Sequence, residues 1–435
     1  MRSASELLSL LNLADSIRTP QHEQQIAELL KTTDLGELLK LARQNSAVIL
    51  TAKNLSAHGI SFTEEFSALA KKLTATGEKR VVWIEKVLAA ATKAGIQVVL
   101  LKGGLLGSVV YNDPAYKKMN DLDVLVRWKD AERFGELLKT LSFNSVGKLL
   151  GEKEFSEKSH HSPPFVSPDL ACVIGLHWGL VSPYSVWKPA IEDVWLKTAS
   201  VHAYGTTAYR MSWEHNLLHL CIHLPFFKVG VRELADVYNL VLFASSKGEF
   251  DWQVFDQAVH EWRAPDAAYR VLALAEQLVA FGLPKELLQK WKAESSIFTR
   301  RDTEVRLGLG TDLVATRSVH IGKIEKAFTV FRLSQNYGER VGAWAMTWVW
   351  SFYPPRQEVA ALLGKLPESL QPLDRIRVLG HSWKAMARDY GNIALTLITC
   401  MNLGMVLRDT ILFPLRKNGP KIRTHPAAKL LEMLE

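Results

Sequence analysis

Cysteine is scarce in this chain. Three occur in 435 residues, Cys172, Cys221 and Cys400, an odd number with no zinc-ligand or disulfide spacing. That excludes a disulfide-built scaffold and a cysteine zinc module. It fits a reducing compartment, so a cytoplasmic protein is expected. Long apolar runs are lacking as well. The most apolar segment, 392–407, is broken by Thr396, Thr399, Asn402 and Gly404. It is shorter than the ~20 residues of a spanning helix. We read it as a buried helix and expect no transmembrane segment. The opening residues mix acids and polar groups into their apolar pattern, unlike a signal peptide. There is no Walker loop, no nucleophile elbow, no His-Glu-x-x-His helix, no internal repeat and no low-complexity tract. P-loop NTPases, α/β-hydrolases, zincins and solenoids are thereby set aside.

What is present is an ordinary globular composition with a basic balance. Hydrophobic residues make up 48% and charged residues 23%, which supplies a sizeable core. The formal net charge is +8, which favours anionic partners and says nothing about fold.

One stretch organises the rest, residues 98–126. An apolar run, Val98 to Leu101, meets Lys102-Gly103-Gly104; an apolar segment and a polar loop follow; the stretch ends in Asp121-Leu122-Asp123-Val124-Leu125-Val126. Two short strands bracketing a Gly-Gly turn and a helix are expected. Side chains two apart on a strand point the same way, so Asp121 and Asp123 share a face. Two carboxylates this close repel unless a cation sits between them, and Mg²⁺ favours one or two carboxylates plus substrate phosphates. Glycines without Cβ let the backbone approach a phosphate, with N–H groups gathered at a helix start.

This ordered set resembles the polymerase-β-like nucleotidyltransferase superfamily, and more closely the bacterial "uncharacterised nucleotidyltransferase" family. The matching residues are Leu101-Lys102-Gly103, Tyr111-Asn112-Asp113-Pro114, Lys117 where the family usually has Arg, and the Asp121–Val126 strand. The resemblance runs from about residue 82 to the Pro354 region, with weaker similarity in the N-terminal helices. It implies an α+β fold, a small mixed β-sheet nucleotidyltransferase core embedded in a mostly helical protein. It implies Mg²⁺-dependent transfer of a nucleoside monophosphate, AMP in the first instance, from a nucleoside triphosphate to an acceptor. Asp121 and Asp123 would be catalytic and metal-binding, with a two-ion site as one arrangement. Lys102, Gly103, Gly104, Lys117 and Arg232 would bind the nucleotide.

The resemblance also shows a departure. The family carries a third acid in an acid-Leu-His-Trp strand, and here that strand reads Gly175-Leu176-His177-Trp178. Glycine can neither ligate a metal nor take a proton. Asp169 and His177 are the substitutes in reach, His177 as a base. The alternative function is a nucleotide-binding regulatory or partner module without efficient turnover.

Elsewhere the chain reads as helices. Leucines recur at helical spacing through residues 1–80, with breaks at Thr19-Pro20 and 54–59. His215, His219 and His223 fall on one helical face. They read either as a metal site or as a buried polar face beside the cleft. Arg232 and Asp236 are at pairing distance on a helix, or face the cleft. Between 321 and 350, Phe328, Phe331, Trp344, Trp348 and Trp350 alternate with basic residues. That pattern suits a helix seam better than nucleic-acid stacking. The basic run 416–423 suits a solvated tail. The expected regions are an N-terminal helical region (1–80), the core (81–185), a helical domain packed on it (186–300) and a C-terminal helical region (301–435). The acceptor is not named by the sequence: a peptide, glycan precursor, metabolite, protein side chain or RNA end all fit.

Overall fold

The computed structural model describes residues 2–146, 154–156, 159–181, 185, 187–224, 230–295 and 297–308, together with 371, 373, 374 and 377. The aromatic stretch 321–350, the apolar segment 392–407 and the basic run 416–423 lie outside the described residues.

Five helices open the chain: α1 (Arg2–Leu11), α2 (Pro20–Thr32), α3 (Leu35–Gln44), α4 (Val48–Ala57) and α5 (Glu64–Lys93). Thr19 caps α2 by accepting the His22 N–H, with Pro20 in the first turn. That is the break expected at Thr19-Pro20. Thr63 caps α5 in the same way through the Phe66 N–H. The chain then runs through β1 (Val99–Leu100), α6 (Lys102–Val109), β2 (Leu122–Leu125), α7 (Trp128–Thr140), β3 (Asn144–Ser145), β4 (Phe165–Val166) and β5 (Val173–His177). Next come α8 (Ile191–Leu196), β6 (Ala199–Ala203), β7 (Thr206–Arg210), α9 (Trp213–His223), α10 (Val231–Ser246), α11 (Trp252–Glu261), α12 (Pro265–Leu278), α13 (Lys285–Glu294) and α14 (Ile297–Gly308).

The seven strands form one mixed sheet in the order β3-β4-β5-β2-β1-β7-β6. β2 runs antiparallel to β1, pairing Leu100 with Val124, and parallel to β5, pairing Asp123 with Gly175 and Leu125 with His177. All four residues of β2 are buried. A central strand covered on both faces accounts for its apolar run, and makes its one carboxylate, Asp123, an interior group. The α+β class expected from the sequence is what the structure has. The β6–β7 hairpin was not expected: it brings two strands from 199–210 into the sheet, from a region read as helical. β7 lies parallel to β1, pairing Tyr209 with Val99.

Backbone contacts divide the chain into two units. The first is Met1–Pro183, Trp187–Ser295 and Arg306–Arg317; the second is Tyr184–Val186, Ser296–Val305 and Ser318–Glu435. In the first unit the N-terminal helices are tied to α10. The Tyr238 hydroxyl donates to the Ser9 carbonyl, the Ala14 N–H donates to Asn239 Oδ1, and Asn239 Nδ2 donates to the Asn12 carbonyl. Leu7, Leu8 and Leu11 of α1 are fully buried.

Candidate functional site

β1 ends at Leu100, and the chain turns at Lys102 into α6. Lys102 has φ +47°, a left-handed conformation uncommon outside glycine. From that turn its ammonium lies on Asp123, with Nζ 2.6 Å from Oδ2. From the other side, the neighbouring strand β5 presents His177, whose Nε2 is 3.1 Å from Asp123 Oδ1. Both oxygens of one carboxylate are therefore held, one from the helix start that follows β1 and one from β5. Burial alone would raise the Asp123 pKa, but the Lys102 and His177 charges and hydrogen bonds hold it well below the usual carboxylate range.

Alternation on β5 explains why His177 is available. Ile174 and Leu176 are buried toward one face, while Gly175 and His177 lie on the other, beside Asp123. In the neutral form of His177, Nε2 is assigned the hydrogen directed to Asp123, which leaves a lone pair on Nδ1. Nδ1 is buried and has no hydrogen-bond partner among the described residues.

Asp121 lies just before β2 and is exposed. Surrounding protein and the Asp123 charge raise its pKa, against the pull of Lys102 and His177. Arg80 of α5 also lies within electrostatic reach of Asp121; its Nε is buried without a hydrogen-bond partner among the described residues.

Gly103 and Gly104 sit at the start of α6 as expected. A Cβ at Gly104 would stand 2.5 Å from Leu122 Cδ1, and one at Gly103 would stand 2.9 Å from Met119 Cγ. The close approach they permit here is of helix to strand and loop, so that α6 lies directly on β2. The Gly104 N–H bonds the Leu101 carbonyl, and the Gly104 carbonyl accepts from the Tyr204 hydroxyl.

Histidines gather around the pair. His161 bridges to His177 through the backbone, and its ring centroid is 5.3 Å from that of His177; His160 is 5.7 Å from His177. Burial and the neighbouring cations push the His160 pKa down to about 2 and lower that of His161. On α9, His219 is buried and His223 half-buried, and both feel Lys102, His177 and Asp123; removal from water first, then those cations, hold both well below the ordinary histidine range. His215, expected on the same face, goes elsewhere: its ring stacks on Trp262 at 5.1 Å. Among the described residues no three His, Cys, Asp or Glu side chains are grouped to hold a metal ion. His219 and His223 lie on one face of α9, within electrostatic reach of Lys102, His177 and Asp123.

Three sequence candidates have other partners. Lys117 is buried, with Nζ 2.9 Å from Asp236 Oδ1 and above the Tyr111 ring. The Tyr111 hydroxyl donates to the same carboxylate. Arg232 pairs with the adjacent Glu233 at 2.7 Å, and the expected Arg232–Asp236 pair is replaced by Lys117–Asp236. Asp169 is committed to the turn between β4 and β5, accepting from Ser167 Oγ, Trp83 Nε1 and the Ala171 N–H. The structure thus brings Lys102, Asp121, Asp123 and His177 together, and gives Lys117, Arg232 and Asp169 work elsewhere. Arg80, His160 and His161 were missed, since each comes from a segment with no motif of its own.

A mixed sheet, a Lys-Gly-Gly helix start on one strand and an Asp-x-Asp strand beside it define a nucleotidyltransferase-type core. The family model of the uncharacterised nucleotidyltransferases matches residues 31–280, more than half of the chain, and the chain belongs to that family. Membership in a family described as nucleotidyltransferases supports a transferase activity. The match takes in α3 to α5, among the N-terminal helices where weaker similarity is expected, and ends before the Pro354 region, in the loop after α12. No curated protein and no solved structure matches the chain. Among the described residues no helix is long and apolar enough to cross a membrane.

Proposed function

We propose that the protein transfers a nucleoside monophosphate, AMP in the first instance, from a nucleoside triphosphate to a small acceptor, with Mg²⁺. The observation that carries this reading is the convergence of Lys102 and His177 on the two oxygens of Asp123, with exposed Asp121 beside them. One Mg²⁺ suits this donor set, since that ion takes one or two carboxylates and completes its shell with substrate phosphates and water. Asp121 and Asp123 would hold it, and it would supply charge neutralisation at the phosphates. A second ion finds no third carboxylate at Gly175, so the reading uses one.

The protein's own groups divide the remaining work. Lys102 would move its ammonium from Asp123 to the triphosphate as substrate enters, keeping that charge paired in both states. Arg80, beside Asp121, is placed to add a second cation to the phosphates. His177, oriented by Asp123, is the base candidate for the acceptor's proton. Positioning and electrostatics supply most of the acceleration in such a transfer.

The test is incubation of the full chain with Mg²⁺, each α-labelled nucleoside triphosphate and a cell extract as acceptor source. Pyrophosphate release with label on an acceptor supports the reading; the same label in the Asp121→Asn protein counts against it. Gly175 favours a second reading, nucleotide binding without turnover. Mg²⁺–ATP binding with no pyrophosphate from any extract would select that one.

A further inference from the structure

The end of β5 borders a cavity of about 380 Å³, within the ordinary size of a small-molecule site. Its walls include Trp128, Trp178, Trp187, Pro189, Ile191 and His160. Trp128 starts α7 and is 44% exposed, an unusual setting for so large an apolar ring. Its centroid lies 4.9 Å from that of Trp178 at 63°, so the two indoles form a fixed corner. Trp178 is anchored: its Nε1 donates to the Ser159 carbonyl, and its N–H donates to the His160 carbonyl. The second wall is anchored too, with the Lys188 N–H donating to the Trp262 carbonyl. The cavity is built before any ligand arrives, and its aromatic walls offer flat faces.

Its position relative to Asp123 says which substrate it suits. In the sheet order β5-β2-β1, Lys102, the cation suited to phosphate, follows β1, and Asp121 precedes β2. The base candidate His177 lies on the β5 side. The cavity meets the histidine cluster at His160, which lines it and whose ring centroid lies 5.7 Å from that of His177. An acceptor has to approach from the side of the base.

We infer that this tryptophan-walled cavity is the acceptor site, and that it takes a small molecule with a flat ring face and a hydroxyl on its edge. The inference rests on the nucleotidyl-transfer reading for its name, but the ring site stands or falls by itself. Flat rings stack on indole whether they are nucleobases or pyranose sugars, and 380 Å³ holds one such unit rather than a folded macromolecule. In the transfer, the acceptor oxygen bonds to the α-phosphorus, the bond from that phosphorus to pyrophosphate breaks, and the hydroxyl proton passes to His177.

Saturation-transfer NMR on the full chain, with adenosine and methyl β-D-glucopyranoside as probes, tests it. Saturation of one probe's ring protons is expected, and which probe responds tells the base source from the sugar source. Trp128→Ala should reduce that signal at least fivefold, Trp128→Phe should keep most of it, and Asp121→Asn should leave it unchanged. Mg²⁺–ATP affinity, measured on the same proteins, should be unaffected by Trp128→Ala. Silence from both probes, or an unchanged signal in Trp128→Ala, overturns the site. Equal loss of Mg²⁺–ATP affinity in Trp128→Ala would make the cavity the nucleotide's own base pocket and overturn the acceptor assignment. A wild-type chain that binds a ring probe but no Mg²⁺–ATP would instead sink the transfer reading while leaving the ring site in place.

Discussion

Gly175 lies opposite Asp123 across the parallel β2–β5 pair, and the room a side chain would occupy there is filled by the Asp123 carboxylate itself. A Cβ at Gly175 would overlap Asp123 Oδ1, the oxygen bonded to His177. The position where relatives are expected to carry an acid is therefore not simply vacant. It lets Asp123 lean across to the next strand. Gly175→Ala should displace Asp123 from His177 and cost about 1–3 kcal/mol by overpacking. Denaturant unfolding checks the cost, and an alanine variant as stable as the parent would show that the carboxylate has somewhere else to go. Gly175→Asp meets the same obstacle, so a gain in turnover from restoring the acid requires the aspartate pair to rearrange.

Asp121→Asn and Asp123→Asn should separate fold from binding. Asp123 is 9% exposed and pairs with a Lys102 side chain that is 17% exposed. Removing its charge leaves a largely buried ammonium unpaired, and about 3–5 kcal/mol is expected to be lost. Asp121 is exposed and repelled by Asp123, so Asp121→Asn should change stability by no more than about 0.5 kcal/mol. Thermal melts measure the first effect. Mg²⁺–ATP titration of Asp121→Asn then reads binding on an intact fold, which makes it the cleaner probe.

Lys117→Met should behave as a structural lesion. Asp236 would keep its charge beside buried Tyr111 with no ammonium, a loss of about 3–5 kcal/mol. Lys117→Arg, which keeps the charge, should lose less. Mg²⁺–ATP affinity of the folded Lys117→Arg protein should match the parent; a tenfold fall would return Lys117 to the nucleotide site.

Acid should unfold this protein early. His160, His161, His215, His219 and His223 all have pKa values lowered by burial. The unfolded chain takes up protons near pH 6.5 while the folded chain does not, so stability is present above that pH and lost as pH falls below it. A fully depressed histidine such as His219 contributes about 2 kcal/mol of loss between pH 6.5 and 5. His260 has the opposite sign. Burial lowers its pKa, but Asp256 and Glu294 outweigh that and raise it, so its contribution is present below pH 6.5 and fades as pH rises through its folded value. Melting temperature from pH 5 to 8 should rise overall; a flat profile would mean that the five histidines are solvated.

The sequence made the site's centre legible because its rules are local. Alternation put Asp121 and Asp123 on one face, and Lys102-Gly103-Gly104 marked a helix start. The neighbours were not legible. Arg80 is separated from Asp121 by a strand, a helix and a loop, and only the packing of α5 beside the sheet brings them near. His160 and His161 arrive through one isolated bridge to His177. The β6–β7 hairpin was overlooked because short strands beside strong helices carry little periodic signal. Lys117 and Arg232 were placed by resemblance, and α10 supplies their carboxylates instead.

The bonds from Tyr238 and Asn239 to the first fourteen residues have a consequence during synthesis. Asn239 is made 225 residues after Ala14, to which it bonds. At ~5–20 residues per second the ribosome takes roughly 10–45 s to cover that distance. Through that interval the opening helices can fold on one another, but the surface that meets α10 stays bare. The nascent chain must carry an open apolar patch for tens of seconds before its last neighbour emerges, so its yield in a cell should depend on chaperones that shield such patches.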